Sequence, residues 1–281
     1  MCNSAPFFAA PGNGAGAFVV VNGCRDQTAA RARSFAAMAA QNGWHLLGLD
    51  RPTGAKPGAL NAGDAAVRHP IRACLDADVL VSPPLTAALA TALSAPEPRY
   101  ATGTDVIPPP RTAISCAHAR FWQQLDFARS DAPGYGPFAT NAAGRARWAD
   151  FADLISDDTV TRLQFDPAAR LHLPQTCQWP MIEGFAALSR VRARQDVSIL
   201  QLDRLYPDLL PREFNPPLTR LLRLALTGPT GFAAAALRSR FQTKSNAFRR
   251  GSQGLEKLGC RGSKYAKDGP RLSLIACQLP G

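Results

Sequence analysis

Histidine and lysine are scarce in this chain of 281 residues, and several chemistries go with them. The four histidines, His45, His69, His118 and His172, sit in unrelated surroundings, so neither a histidine metal site nor a Ser-His-Asp arrangement finds support. No C-x-x-C pair occurs among the seven cysteines (Cys2, Cys24, Cys74, Cys116, Cys177, Cys260 and Cys277). The odd count argues against a disulfide framework or a zinc knuckle and for a reduced, cytoplasmic setting. No stretch approaches the ~18 apolar residues of a membrane span. The opening "MCNSAPFFAAPGNG" lacks the basic segment and longer apolar core of a secretory signal, and no internal repeat is visible. A soluble or peripheral protein is expected.

What is abundant is alanine, together with positive charge carried mainly by arginine. The length suffices for a full core, as one large domain with an appendage or two modest domains. A formal net charge of +11 and a pI near 9.8 point to a polyanionic partner: a membrane surface, a nucleic acid or a phosphate-bearing substrate.

From residue 17 the pattern alternates between strand and helix. "AFVVVN" reads as a buried strand, residues 27 to 42 as a helix, "HLLGLD" as a strand and residues 57 to 67 as a short helix. "IRACLDADVLV" reads as one third strand, followed by a helix opened by Ser82, Pro83 and Pro84. Such alternation predicts an α/β fold with a mainly parallel sheet covered on both faces, binding ligands beyond the carboxyl ends of its strands. "DVIPPPRT" is expected as a stiff linker, "RTAISCAHARFWQQLDFA" as a helix and "DAPGYGPFATN" as a Gly/Pro-rich turn. "ARLHLP" adds a candidate strand. "LTRLLRLAL" and "GFAAAALRSRF" read as two helices broken at "TGPTG", and low order is expected beyond about residue 245.

Three groups of residues can carry chemistry. Asp76 and Asp78, two apart on a segment read as extended, would point the same way and could share one divalent cation, although an isolated Asp-x-Asp arises readily by chance. Upstream, "GAKPGALNAGD" sets Lys56 before Gly58, Asn61 and Gly63. The small residues allow close backbone approach, lysine offers a point charge for phosphate and asparagine a directional amide; an ordinary strand-helix loop would look the same. Asp157 and Asp158 in "ADFADLISDDTVTRLQF" stand at the start of a helix, as a capping pair or as something more. Arg190 and Arg194 in "ALSRVRARQ" share one helical face, either solvated or turned to an anion. Trp122, Trp148 and Trp179 fit packing better than an acceptor cleft.

Taken in order, "VVVNGCRDQTAARARSFAA", "GAKPGALNAGDAA", "LDADV", "GPFATNAAGRARW" and "LISDDTVTRLQF" resemble the ordered motifs of bacterial family-2 glycosyltransferases over residues 17 to about 200. The resemblance implies a GT-A type, Rossmann-like fold and an inverting, metal-dependent transfer of a sugar from a nucleotide-sugar donor to a hydroxyl on a glycan, lipid or small acceptor. It puts Asp158 in the place of the base with Asp157 beside it. Asn22, Gly23, Lys56 and Asn61 would lie at the donor, and Arg190 or Arg194 at its diphosphate. Asp76 and Asp78 would hold Mg2+ or Mn2+. Val21 and Asn22 stand where the family often carries aspartate.

The resemblance organises the chain as residues 1–200, a nucleotide-sugar-binding and acceptor domain; 201–245, a helical extension; and 246–281, a basic, weakly ordered tail. By this resemblance the chain is expected to start inside the helix that follows the family's first strand and its Pro/Asn/Glu-bearing loop. That strand would lie between the strand of residues 17–22 and the one carrying the aspartates, so a gap is expected there, and a mis-set start is the preferred explanation. Each buried unpaired backbone group would cost about 1–3 kcal/mol. The gap motivates an alternative function, a catalytically inactive scaffold that binds nucleotide weakly. A third reading is a basic module that meets anionic lipid or nucleic acid through Arg238, Arg240, Lys244, Arg249, Arg250, Lys257 and Lys264, nucleic acid being the weaker partner. The helices over 217 to 240 would suit peripheral contact with the inner face of an anionic cell membrane.

Overall fold

The computed structural model describes residues 15–24, 26–52, 56–124 and 132–209, and the backbone of residues 272–279. The two helices expected over 217 to 240 and the seven basic residues of the third reading lie outside the described residues. Among the described residues no helix is long and apolar enough to cross a membrane.

Among the described residues eight strands form one sheet with helices packed on it. Strand β1 (Gly16–Asn22) is buried along its whole length, as its run of valines requires. Helices α1 (Thr28–Arg33) and α2 (Ala36–Gln41) replace the single helix expected over 27 to 42. The break lies at Ser34, whose hydroxyl donates back to the Arg31 carbonyl at 2.7 Å, while Phe35 turns toward the core. Strand β2 (His45–Arg51) and helix α3 (Lys56–Ala66) follow as expected.

The run "IRACLDADVLV" is two strands rather than one. Strand β3 (Ile71–Asp76) ends at the first aspartate, and the Val79 N–H donates to the Asp76 carbonyl at 3.2 Å, closing a turn that contains Asp78. Strand β4 (Leu80–Val81) then pairs elsewhere in the sheet. Helix α4 (Pro83–Ala92) starts after Ser82 with proline in its first turn, as expected.

Strand β5 (Tyr100–Val106) takes in Asp105 and Val106, the first two residues of the expected linker. Helix α5 (Ala113–Trp122) is followed by strand β6 (Pro137–Thr140), inside the segment expected as a turn. Then come the short helices α6 (Ala142–Arg145) and α7 (Asp157–Leu163), strand β7 (Arg170–Gln178) and the long helix α8 (Phe185–Leu205). Helix α8 runs unbroken across residue 200, where a domain boundary was expected. Strand β8 (Leu272–Leu279) lies inside the segment read as a tail.

The strand order is β2-β1-β8-β3-β6-β5-β7-β4. Strands β1, β2, β3, β5 and β7 run one way, which is the co-directional set that strand-helix alternation predicts. The expected mainly parallel pairing is corrected, because the reversed strands β4, β6 and β8 interleave and, among the described residues, only β1 with β2 and β5 with β7 pair in parallel. The slot expected to be empty, between β1 and β3, is filled by β8. It pairs antiparallel with Gly16 to Val21 on one side and with Ile71 to Asp76 on the other. The two neighbours therefore keep their backbone ladders.

Two apolar clusters flank the sheet. One gathers Trp44, Ile71, Ala73 and Leu75 against Leu85 and Leu89 of α4 and Leu93 just past its end. The other, on the side of α3, gathers Val20, Leu60, Tyr100, Phe138 and Phe165.

Candidate functional site

Period-two alternation in β3 decides where its carboxylate goes. Ile71, Ala73 and Leu75 are buried under α4, so Arg72, Cys74 and Asp76 face the α3 side. There Arg72 Nε pairs with Asp64 Oδ1 of α3 at 2.8 Å, which ties the helix to the strand. At the end of the same row Asp76 Oδ1 lies 2.9 Å from Lys56 Nζ, at the start of α3.

The third component comes from α7. Asp157 shares the buried stripe of that helix with Val160 and Thr161, and Val160 and Leu163 pack against Leu202 of α8. Packing thus drives a carboxylate inward: the Asp157 side chain is 2 % exposed, and its Oδ1 lies 3.0 Å from the same Lys56 Nζ. Asp158, next in the first turn, accepts from the Thr159 N–H at 2.8 Å.

These groups line one pocket together with Gly134 and Gly136. Both glycines are required. Gly134 has φ +67°, and a Cβ there would stand 1.9 Å from the Tyr100 hydroxyl; at Gly136 it would stand 2.5 Å from Val79. Sequence reasoning read this "PGYG" stretch only as a turn, and its glycine spacing was the signal that a pocket wall passes here.

The electrostatics follow from the crowding. Burial pushes the Lys56 ammonium down, but the carboxylates of Asp157, Asp76 and Asp158 outweigh it and hold the group well above the ordinary lysine range. Burial raises the Asp157 carboxyl, and Lys56 opposes the rise. Asp158 is pushed up to about 7 by burial and then by Asp157. The Cys74 thiol beside them is raised by burial, which disfavours its thiolate.

The other expected site residues divide. Val20 of β1 is level with Asp76, since both face Ser273 of β8, and Asn22 and Gly23 lie two and three residues further on at the carboxyl end of β1. Two strand spacings, about 10 Å, separate them from the acidic site. Gly23 turns the chain at φ +67° and donates its N–H to the Arg51 carbonyl at 2.8 Å.

Asn61 does not point at the pocket groups. Its amide donates to the Phe151 carbonyl at 3.0 Å and accepts from the Phe151 N–H at 2.8 Å, clamping the segment before α7. Arg194 lies near enough to Asp78 to oppose the rise of its carboxyl, which burial and Asp76 cause. Nothing among the described residues joins Arg190 to this site. Trp122 and Trp179 pack with Tyr135, whose ring is stacked on Trp179 at 5.1 Å, whereas Trp148 meets Phe151 and Phe165 in the core.

The expected sharing of one ion by Asp76 and Asp78 rested on an extended segment, and the turn at Asp78 removes that basis. Among the described residues no three Asp, Glu, His or Cys side chains stand close enough to hold a metal ion. The cation that Asp76 does meet is the Lys56 ammonium.

No family model matches the sequence, and no curated protein matches it. Among solved structures, the chain is similar to a mannosyltransferase from Pyrobaculum calidifontis determined in complex with GDP-Man and Mn2+. The TM-score is 0.49 at 18% identity, with 85% of this chain and 70% of that chain covered.

Proposed function

We propose that this protein transfers a glycosyl group from a nucleotide-sugar donor to a hydroxyl acceptor, with inversion at the anomeric carbon. The observation that carries the reading is Asp158, a carboxylate pushed up to about 7 that lines a pocket together with the buried Asp157 carboxylate and the Lys56 ammonium. A general base works best with a pKa near the operating pH. In its ionised form Asp158 takes the proton of the acceptor hydroxyl as that oxygen attacks the anomeric carbon. The bond from that carbon to the donor's diphosphate breaks on the opposite face, and the nucleoside diphosphate leaves with the electron pair.

The remaining groups support that step. Asp157 and Asp76 hold the Lys56 ammonium at the pocket wall, where positive charge offsets the charge gathering on the departing diphosphate. Asn22 and Gly23, at the same carboxyl edge of the sheet, suit the nucleoside end of the donor. Arg194, beside Asp78, is a second positive group for the diphosphate. The basic composition fits an anionic donor and contact with an anionic membrane surface.

The test is to incubate the purified chain with a panel of uridine and guanosine diphosphate sugars and hydroxyl acceptors, following nucleoside diphosphate release and product mass. Transfer by the native protein that Asp158→Asn abolishes is the expected result. Nucleotide binding without product from any pair would instead favour the inactive scaffold.

A further inference from the structure

Lys56 is the only lysine in the first 243 residues of a chain whose other cations there are arginines. That choice suits its surroundings. An ammonium is a compact point charge with three rotatable donors, whereas a guanidinium spreads its charge over a flat fork of fixed geometry.

Lys56 Nζ lies 2.9 Å from Asp76 Oδ1 and 3.0 Å from Asp157 Oδ1, so two donors meet carboxylates from different elements. The side chain is 37 % exposed and lines the pocket, which leaves the third donor for a ligand there. Asp157 is nearly fully buried, and its Oδ2 has no hydrogen-bond partner among the described residues, so its charge depends on Lys56. A divalent ion seated on Asp76 would meet the ammonium already there.

Resting on the transfer reading above, we infer that Lys56 is the built-in cation of this site, and that its ammonium binds the donor's diphosphate without a divalent ion. Asp76 and Asp157 are positioning residues that aim the ammonium. In this arrangement the lysine supplies the charge that a bound metal would otherwise bring to the departing nucleoside diphosphate.

Calorimetric titration of uridine and guanosine diphosphate into the full chain tests this, first in excess EDTA and then with Mn2+. The native protein is expected to bind one of them with affinities that agree within about threefold in the two buffers. Lys56→Ala is expected to lose ~10- to 100-fold in EDTA, the worth of one charge-assisted hydrogen bond. Mn2+ is expected to restore much of that loss by entering the space between Asp76 and Asp157.

Because Lys56→Ala leaves Asp157 buried without a partner, Lys56→Ala with Asp157→Asn serves as the folded control, and it too is expected to bind poorly in EDTA. Binding by the native chain only with Mn2+ overturns the inference and leaves the transfer reading standing. Binding in neither buffer overturns the transfer reading and the inference with it. Undiminished binding by the double variant in EDTA also overturns the inference.

Discussion

Lys56 and Asp157 come from opposite sides of the chain's middle and meet at 3.0 Å, Nζ to Oδ1. Helix α3 brings the lysine and helix α7 the carboxylate, and β3 adds Asp76 on the third side of the ammonium. A buried carboxylate is costly without a partner, so this contact is a condition for α7 to pack as it does.

If Asp158 is the base, Asp158→Asn lowers transfer about 10²- to 10⁴-fold while nucleoside diphosphate binding stays close to that of the native protein. Product formation and calorimetry on the same preparation check this. A variant that turns over normally removes Asp158 from the mechanism.

The dependence on pH carries a definite sign. Burial and Asp157 raise the Asp158 carboxyl to about 7, so the ionised form needed for proton removal is lost below that pH. The transfer rate is expected to climb as pH rises through about 7. In Asp157→Asn the neighbouring negative charge is gone, and the climb shifts to lower pH. A flat rate from pH 6 to 8 contradicts the assignment.

Asn61 clamps Phe151 rather than touching ligand, so Asn61→Ala should act on stability. Losing two hydrogen bonds to half-buried backbone costs about 1–3 kcal/mol. Urea unfolding and nucleotide titration separate the roles: a lower midpoint with unchanged affinity is expected. The opposite pattern would restore a donor contact.

Strand β8 pairs with both β1 and β3. Deleting residues 272–279 opens two long apolar edges and should cause loss of sheet signal in circular dichroism, or aggregation. An unchanged melting temperature would show that the sheet does not depend on this strand.

A second, half-buried carboxylate tests the electrostatics away from the pocket. Burial raises Asp105 to about 6, partly opposed by Cys177, whose Sγ donates to it at 3.0 Å. The native state then binds this proton more tightly than the unfolded chain, so stability falls as pH rises from about 4 to 6. The loss is at most about 3 kcal/mol for a shift of roughly two units. In Asp105→Asn that part of the pH dependence should vanish from denaturant midpoints measured between pH 4 and 8.

Much of this architecture could be read in advance. The valines of β1, the Ser82-Pro83-Pro84 start of α4 and the acidic first turn of α7 are local signals, and each lies where expected. Strands β5 and β6 were missed, because "YATGTDV" is interrupted by Gly103 and Asp105 and "PFAT" is only four residues opening on proline, and both are strands through their partners. The turn at Asp78 was missed for a similar reason. An uninterrupted apolar run looks like one strand whether or not its second half pairs with β7.

By itself the sequence determined the strand-helix alternation, the parity that puts Asp76 on the α3 face, and the acidic start of α7, since periodicity and capping act over a few residues. Tertiary structure alone decided that β8 enters the sheet between β1 and β3. It also decided that Asn61 serves Phe151, that Asp78 turns aside, and that one lysine stands between two carboxylates. Those outcomes depend on which distant segments share a surface, and no local pattern encodes such neighbours.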